Sequence, residues 1–204
     1  FTFTSSIDPR ALVTVGDQVV SEHIFAFHSR ESIKDGFGPV FSKVTISSSE
    51  KSVLIEPFRD VARSDGTIFD FGRICSALEG SLRGTRHAPY GSLVDSIVCD
   101  TAARRMTVRL SAVPVNLREI FTLPDFAIFD PAVLPISPGR LGPTTGPYYI
   151  VSMDPRLVEL RSNPHYPAEL RANAVETVRL HSYPASETSR QIQELDPKRT
   201  NMAY

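Results

Sequence analysis

The stretch Ser64-Asp65-Gly66-Thr67-Ile68-Phe69-Asp70-Phe71 is where the reading of the fold begins. Asp65-Gly66 is a tight-turn pair, since glycine reaches the backbone angles that other residues avoid. Asp70 can cap a helix by accepting its free N-terminal amides, and Phe69 can staple onto the first turn. From there Phe71, Ile74, Cys75 and Leu78 fall at i, i+3, i+4 and i+7, one apolar helical face. Gly80 or Gly84 should end that helix.

Working outward, 42–47 and 53–58 are two β-rich runs separated by Ser48-Ser49-Glu50-Lys51, a hairpin signature. Gly36-Phe37-Gly38-Pro39 marks a turn before them. Further upstream the pattern predicts a helix over 17–28, capped by Asp17, with Val20, Ile24 and Phe27 on its apolar face. Downstream, 96–99 and 106–110 should pair across a polar loop, and 117–123 reads as a short helix. Between 124 and 147 six prolines interleave with Gly139, Gly142 and Gly146, which rules out a long regular element. This stretch is expected to cross between two lobes in extended form. A hairpin over 148–153 and 158–161 follows, turning at Asp154-Pro155-Arg156. After the Asn163-Pro164 break come a strand over 175–183 and a helix over 186–195 capped by Ser186.

Composition narrows the function classes. The chain has 204 residues, 41% hydrophobic and 22% charged, which suits a globular protein with a real core. Net charge is −1 with the signs interspersed, so neither a nucleic-acid surface nor a basic membrane patch is expected. The longest apolar runs, such as 53–55 and 126–129, are far too short to span a bilayer. The chain opens on Phe1-Thr2-Phe3-Thr4, strand-like and without a charged leader, as if numbered after a cleavage or trimming point. Cys75 and Cys99 match no zinc or redox spacing. They read as two buried apolar thiols, with a disulfide open to them if the protein is exported.

Enzyme chemistry finds no footing. The glycines at 139, 142 and 146 are not followed by Gly-Lys-Ser/Thr, and Pro143 and Pro147 remove donors that a phosphate cradle needs. His23 and His28 are five apart, on different faces of a helix, without the glutamate of a metalloprotease motif. Gly80-Ser81-Leu82-Arg83-Gly84 puts its serine one position too early for a nucleophile elbow. Asp60, Asp65 and Asp70 each suit a turn or a cap. No enzyme activity and no cofactor or metal is expected.

Three segments in order resemble the family-5 extracytoplasmic solute-binding proteins, which include oligopeptide-, dipeptide- and nickel-binding proteins. Ser6-Ile7-Asp8-Pro9 is similar to that family's opening turn before its first helix. The block 44–78, with Arg59-Asp60-Val61 and Ser64-Asp65-Gly66-Thr67-Ile68-Phe69, resembles its hairpin, Arg-Asp turn and Asp-Gly-Thr-Pro-Phe loop. Thr145-Gly146-Pro147-Tyr148-Tyr149-Ile150, with Arg161-Ser162-Asn163-Pro164-His165-Tyr166, resembles its Gly-Pro-Tyr turn and Arg-Asn-Pro-x-Tyr loop and is the most specific of the three. The segment 95–110 is similar to a family strand pair. The chain departs from the pattern at Ile68, where proline is usual, and at Phe71-Gly72-Arg73. It has no tryptophan before the first hairpin and no recognisable Gly-Glu-Ile-Asp near its end.

The resemblance implies an α/β fold: a periplasmic-binding-protein-like (type II) lobe with a mixed β-sheet and an inserted α+β subdomain, the second lobe missing. It assigns 1–28 and 140–204 to the first lobe and 29–139 to the inserted subdomain. The implied role is capture of a peptide or similar small solute between two closing lobes, for delivery to an ABC transporter permease. Ligand contacts are expected from Val13, Thr14, Val15, Gly16 and Asp17, whose backbone can bind an extended ligand as a sheet edge does, and from Tyr148. The implied location is periplasmic, tethered through a lipid anchor upstream. A ligand-sensing domain of a transcription regulator is the alternative on the same fold, distinguished by an upstream helix-turn-helix.

Overall fold

Thr14 rather than Asp17 starts the first helix. A computed structural model describes residues 3, 6–26, 40–84, 91–115, 117, 127–171 and 174–182, and in it α1 runs Val15–Ile24. The Thr14 hydroxyl accepts the Asp17 N–H at 3.1 Å, and the Asp17 carboxylate reaches back to the Thr14 N–H at 3.0 Å. This reciprocal box satisfies two otherwise orphaned donors and moves the start two residues ahead of the expected one. The end also differs from the expected 28, because Phe25 turns extended and Ala26 is taken into a bridge with Ile128. The Gly146 N–H caps the Ile24 carbonyl at 2.8 Å. Val20 and Ile24 are buried as their spacing required, and Phe27 lies outside the described residues.

The hairpin appears as β1 (Phe41–Ser47) and β2 (Ser52–Phe58), joined by a turn with Lys51 in the left-handed region at φ 49°. After it come the two-residue strands β3 (Val61–Ala62) and β4 (Ile68–Phe69), then α2 (Phe71–Gly84). Asp70 caps α2 as expected, accepting the Arg73 N–H at 3.0 Å, and Gly84 rather than Gly80 ends it. β5 (Val94–Asp100) and β6 (Arg105–Leu110) complete a four-stranded sheet in the order β1-β2-β6-β5. Alternation then does its work. Val44, Val53, Ile55, Met106 and Val108 all turn to one face and are buried. Phe71, Ile74 and Leu78 of α2 belong to the same core cluster, each contributing roughly 1.5–3 kcal/mol of burial.

A second core gathers around β7 (Tyr148–Met153), β8 (Leu157–Ser162) and β9 (Thr177–His181), a sheet in that order. Between β8 and β9 lies one turn of helix, α3 (Ala168–Arg171). Ile7, Val20, Ile24, Phe25, Phe129 and Ile136 pack there with Ile150, Val158 and Leu160. Where described, the proline-rich crossing holds no long regular element, only a 3-10 turn at Pro131–Val133, a turn at Pro138-Gly139 and short bridges such as Ile7 with Ile136. The mixed sheet expected from the resemblance takes the form of three separate sheets, and every pairing among the described residues is antiparallel. Most neighbouring strands are joined by connections too short for a parallel crossover. The expected helix at 186–195 lies outside the described residues, as does that at 117–123 apart from Leu117.

One expectation is overturned. Cys75 and Cys99 are not free thiols but a disulfide joining α2 to β5, with Cα atoms 6.5 Å apart. Helix-over-sheet packing brings them within bridging reach, which no spacing along the chain could reveal.

Candidate functional site

The run entering α1 is built by its predecessor. Asp8 caps a 3-10 turn at Pro9–Ala11, accepting the Arg10 N–H at 2.9 Å and pairing with its guanidinium at 2.7 Å. Burial raises the Asp8 carboxyl's pKa, but the hydrogen bonds and charge of Arg10 outweigh it and hold it below the ordinary value. The Arg10 guanidinium in turn lies 5.6 Å from the centre of the buried Phe129 ring. A pinned turn therefore delivers the backbone at 12–14, where Leu12 and Thr14 both have extended angles.

Of the residues expected to meet ligand, Val13 and Val15 are 78% and 61% exposed. No hydrogen bond occupies the Val13 main chain among the described residues. An exposed apolar side chain beside an unpaired extended amide is what β-augmentation uses. Gly16 and Asp17 are buried instead, and Asp17 is committed to the cap. Tyr148 does not join them. It is 8% exposed in the second core, its ring 5.9 Å from that of His23 near the far end of α1. Burial pushes its phenol up, while the nearby Val175 main chain pulls the other way.

The remaining motif residues meet at the seam between the two cores. Thr145 Oγ1 accepts the Ala26 N–H at 3.0 Å and donates to the Ile128 carbonyl. Ser64 and Thr144 exchange two hydrogen bonds, at 2.9 and 3.1 Å. Asn163, fully buried, donates to the Gly146 carbonyl at 2.9 Å and accepts the His165 N–H at 2.9 Å. A Cβ on Gly66 would stand 3.2 Å from His165 Nε2, so two motifs a hundred positions apart touch here. Arg63 ties the seam further, bonding Asp130 at 2.8 Å and Asp65 at 3.4 Å. Arg63, Thr144 and His165 were not legible in the sequence as a unit. The only signal for them was that each sits in or beside a motif.

Beside the seam an open cavity of about 710 Å³ is lined by Arg63, Asp70, Arg73, Ser76 and Asp130 among others. Among the described residues no group of three or more His, Cys, Asp or Glu could hold a metal, and no helix is long and apolar enough to cross a membrane.

The sequence matches no protein-family model and no curated protein. Solved structures do match. A substrate binding protein from Microbacterium hydrocarbonoxydans, complexed with 4-hydroxybenzoate hydrazide, superposes with a TM-score of 0.73 at 16% identity, over 95% of this chain and 44% of that one. AgaA from A. tumefaciens R10, in complex with agropinic acid, gives 0.71 at 15% over 93% and 40%. This is the fold of a solute-binding protein. The pheromone receptor PrgZ, described with its mode of peptide binding, gives 0.71 at 12% over 93% and 43%. At such identities the likeness is one of fold, the one the sequence motifs implied. The chain spans about two fifths of the length of these solute-binding structures.

Proposed function

We propose that this chain is the first part of a solute-binding protein that captures a peptide or similar small solute and passes it to an ABC importer's permease. The supporting observation is a solute-binding fold over nearly the whole chain, together with Val13, exposed and with no main-chain hydrogen bond among the described residues, just ahead of α1. Under this reading 1–28 and 140–204 belong to the first lobe and 29–139 to an inserted subdomain, with 127–136 packing back onto the lobe's core. Val13, Thr14 and Val15 face the solute; Gly16 and Asp17 hold the helix start behind them, and Tyr148 supports α1 from within. The protein works outside the cytoplasm. The solved structures it resembles are described with agropinic acid, 4-hydroxybenzoate hydrazide or a peptide, and the solute proposed here is of that small size. Hydrogen exchange tests the placement. In a protein carrying both lobes, adding a bound peptide should slow exchange of the Val13 amide; unchanged fast exchange there, with binding confirmed by calorimetry, would remove 12–14 from the site.

A further inference from the structure

The Cys75–Cys99 crosslink occupies a particular place in the fold. β5, which carries Cys99, is an outer strand of the four-stranded sheet, and its far side has no strand partner among the described residues. Val98, next to Cys99, is 55% exposed. An unpaired edge bearing an exposed branched side chain is a template for pairing with another chain. The disulfide holds this strand to α2, closing a loop of sequence separation 24. The two sulfurs differ in access: Cys75 is 5% exposed inside the first core, whereas Cys99 is only half-buried, opposite Met106 in the sheet.

We infer that the crosslink is a lock on this sheet edge, closed by thiol–disulfide exchange in a set order, Cys99 first and Cys75 second. The Cys99 thiolate attacks an external disulfide of the protein-disulfide or oxidised-glutathione class, forming a mixed disulfide and releasing one partner thiolate. The Cys75 thiolate then attacks the Cys99 sulfur, forming the internal bond and expelling the second partner thiol. The chain's two thiols are oxidised, the external disulfide is reduced to two thiols, and the two protons leave with them. The lock therefore needs an oxidising compartment to close, whatever solute the protein binds.

Two measurements on the unsubstituted full chain test this. In the first, the reduced chain is given oxidised glutathione, quenched early in acid and mapped by mass spectrometry. The mixed disulfide should sit on Cys99 in about tenfold excess over Cys75; an equal split, or an excess on Cys75, overturns the order. In the second, amide exchange is compared for the oxidised and reduced chain. Reduction should speed exchange across 94–100 about tenfold. Unchanged exchange there overturns the lock, as does free alkylation of both thiols in unreduced protein purified from an oxidising compartment.

Discussion

A Cβ added at Gly146 would stand 2.6 Å from the Phe25 nitrogen and 2.7 Å from the His23 carbonyl oxygen. These are main-chain atoms at the end of α1, and they cannot swing aside. Gly146→Ala should therefore cost about 3 kcal/mol, at the upper end of overpacking effects, as read from urea unfolding. Gly66→Ala faces a left-handed φ of +81° but a softer neighbour, the His165 ring, and should cost about 1–2 kcal/mol. Gly80→Ala, with nothing within 4 Å and a helical backbone, should stabilise by about 0.5–1 kcal/mol. The ordering of the three matters more than any one value. Asp65 adds a pH test. Burial raises its carboxyl's pKa, but the Thr67 hydroxyl and N–H and the Arg63 charge more than reverse this, leaving it below its ordinary 3.8. A lowered folded pKa means stability that is present above 3.8 and is lost as pH falls through the folded value. Asp65→Asn should thus weaken the protein near neutral pH, and its gap from the wild type should close in acid; a gap independent of pH would contradict the assignment.

At the scale of elements, α1 is the sharpest case. Thr14→Ala removes the hydroxyl that accepts the Asp17 N–H and should cost about 1 kcal/mol; no change in the unfolding midpoint would mean the box is idle. Asp17 looks like a cap by residue type, and only Thr14 three positions earlier shows it to be the other half of a box. All three hairpins, β1 with β2, β5 with β6 and β7 with β8, were legible because period-2 alternation and polar turns are local signals. α2 was legible through Asp70 and its apolar stripe. The helix end at Ile24 was not, since Gly146 and Ile128 terminate it from more than a hundred positions away. The disulfide was hidden too, since its cysteines, 24 positions apart, come within reach only through the packing of α2 on β5. Of the expected ligand residues, the sequence could mark the segment 13–17, but which side chains face solvent depended on where the cap fell.

For the whole molecule, two cores meet along a seam of Ser64, Asp130, Thr144, Thr145 and Asn163, of which Ser64, Thr145 and Asn163 lie in the motifs that suggested the fold. On the proposed reading the segment around the exposed Val13 is one wall of a binding site, and a solute trapped by closure needs contacts on both walls. The chain covers about two fifths of the solute-binding structures it resembles. Calorimetric titration with a mixed tri- to pentapeptide library, run on chain 1–204 and on a protein carrying both lobes, tests this most directly. Micromolar binding is expected of the two-lobe protein and none detectable of 1–204 alone. Micromolar binding by 1–204 alone would contradict it.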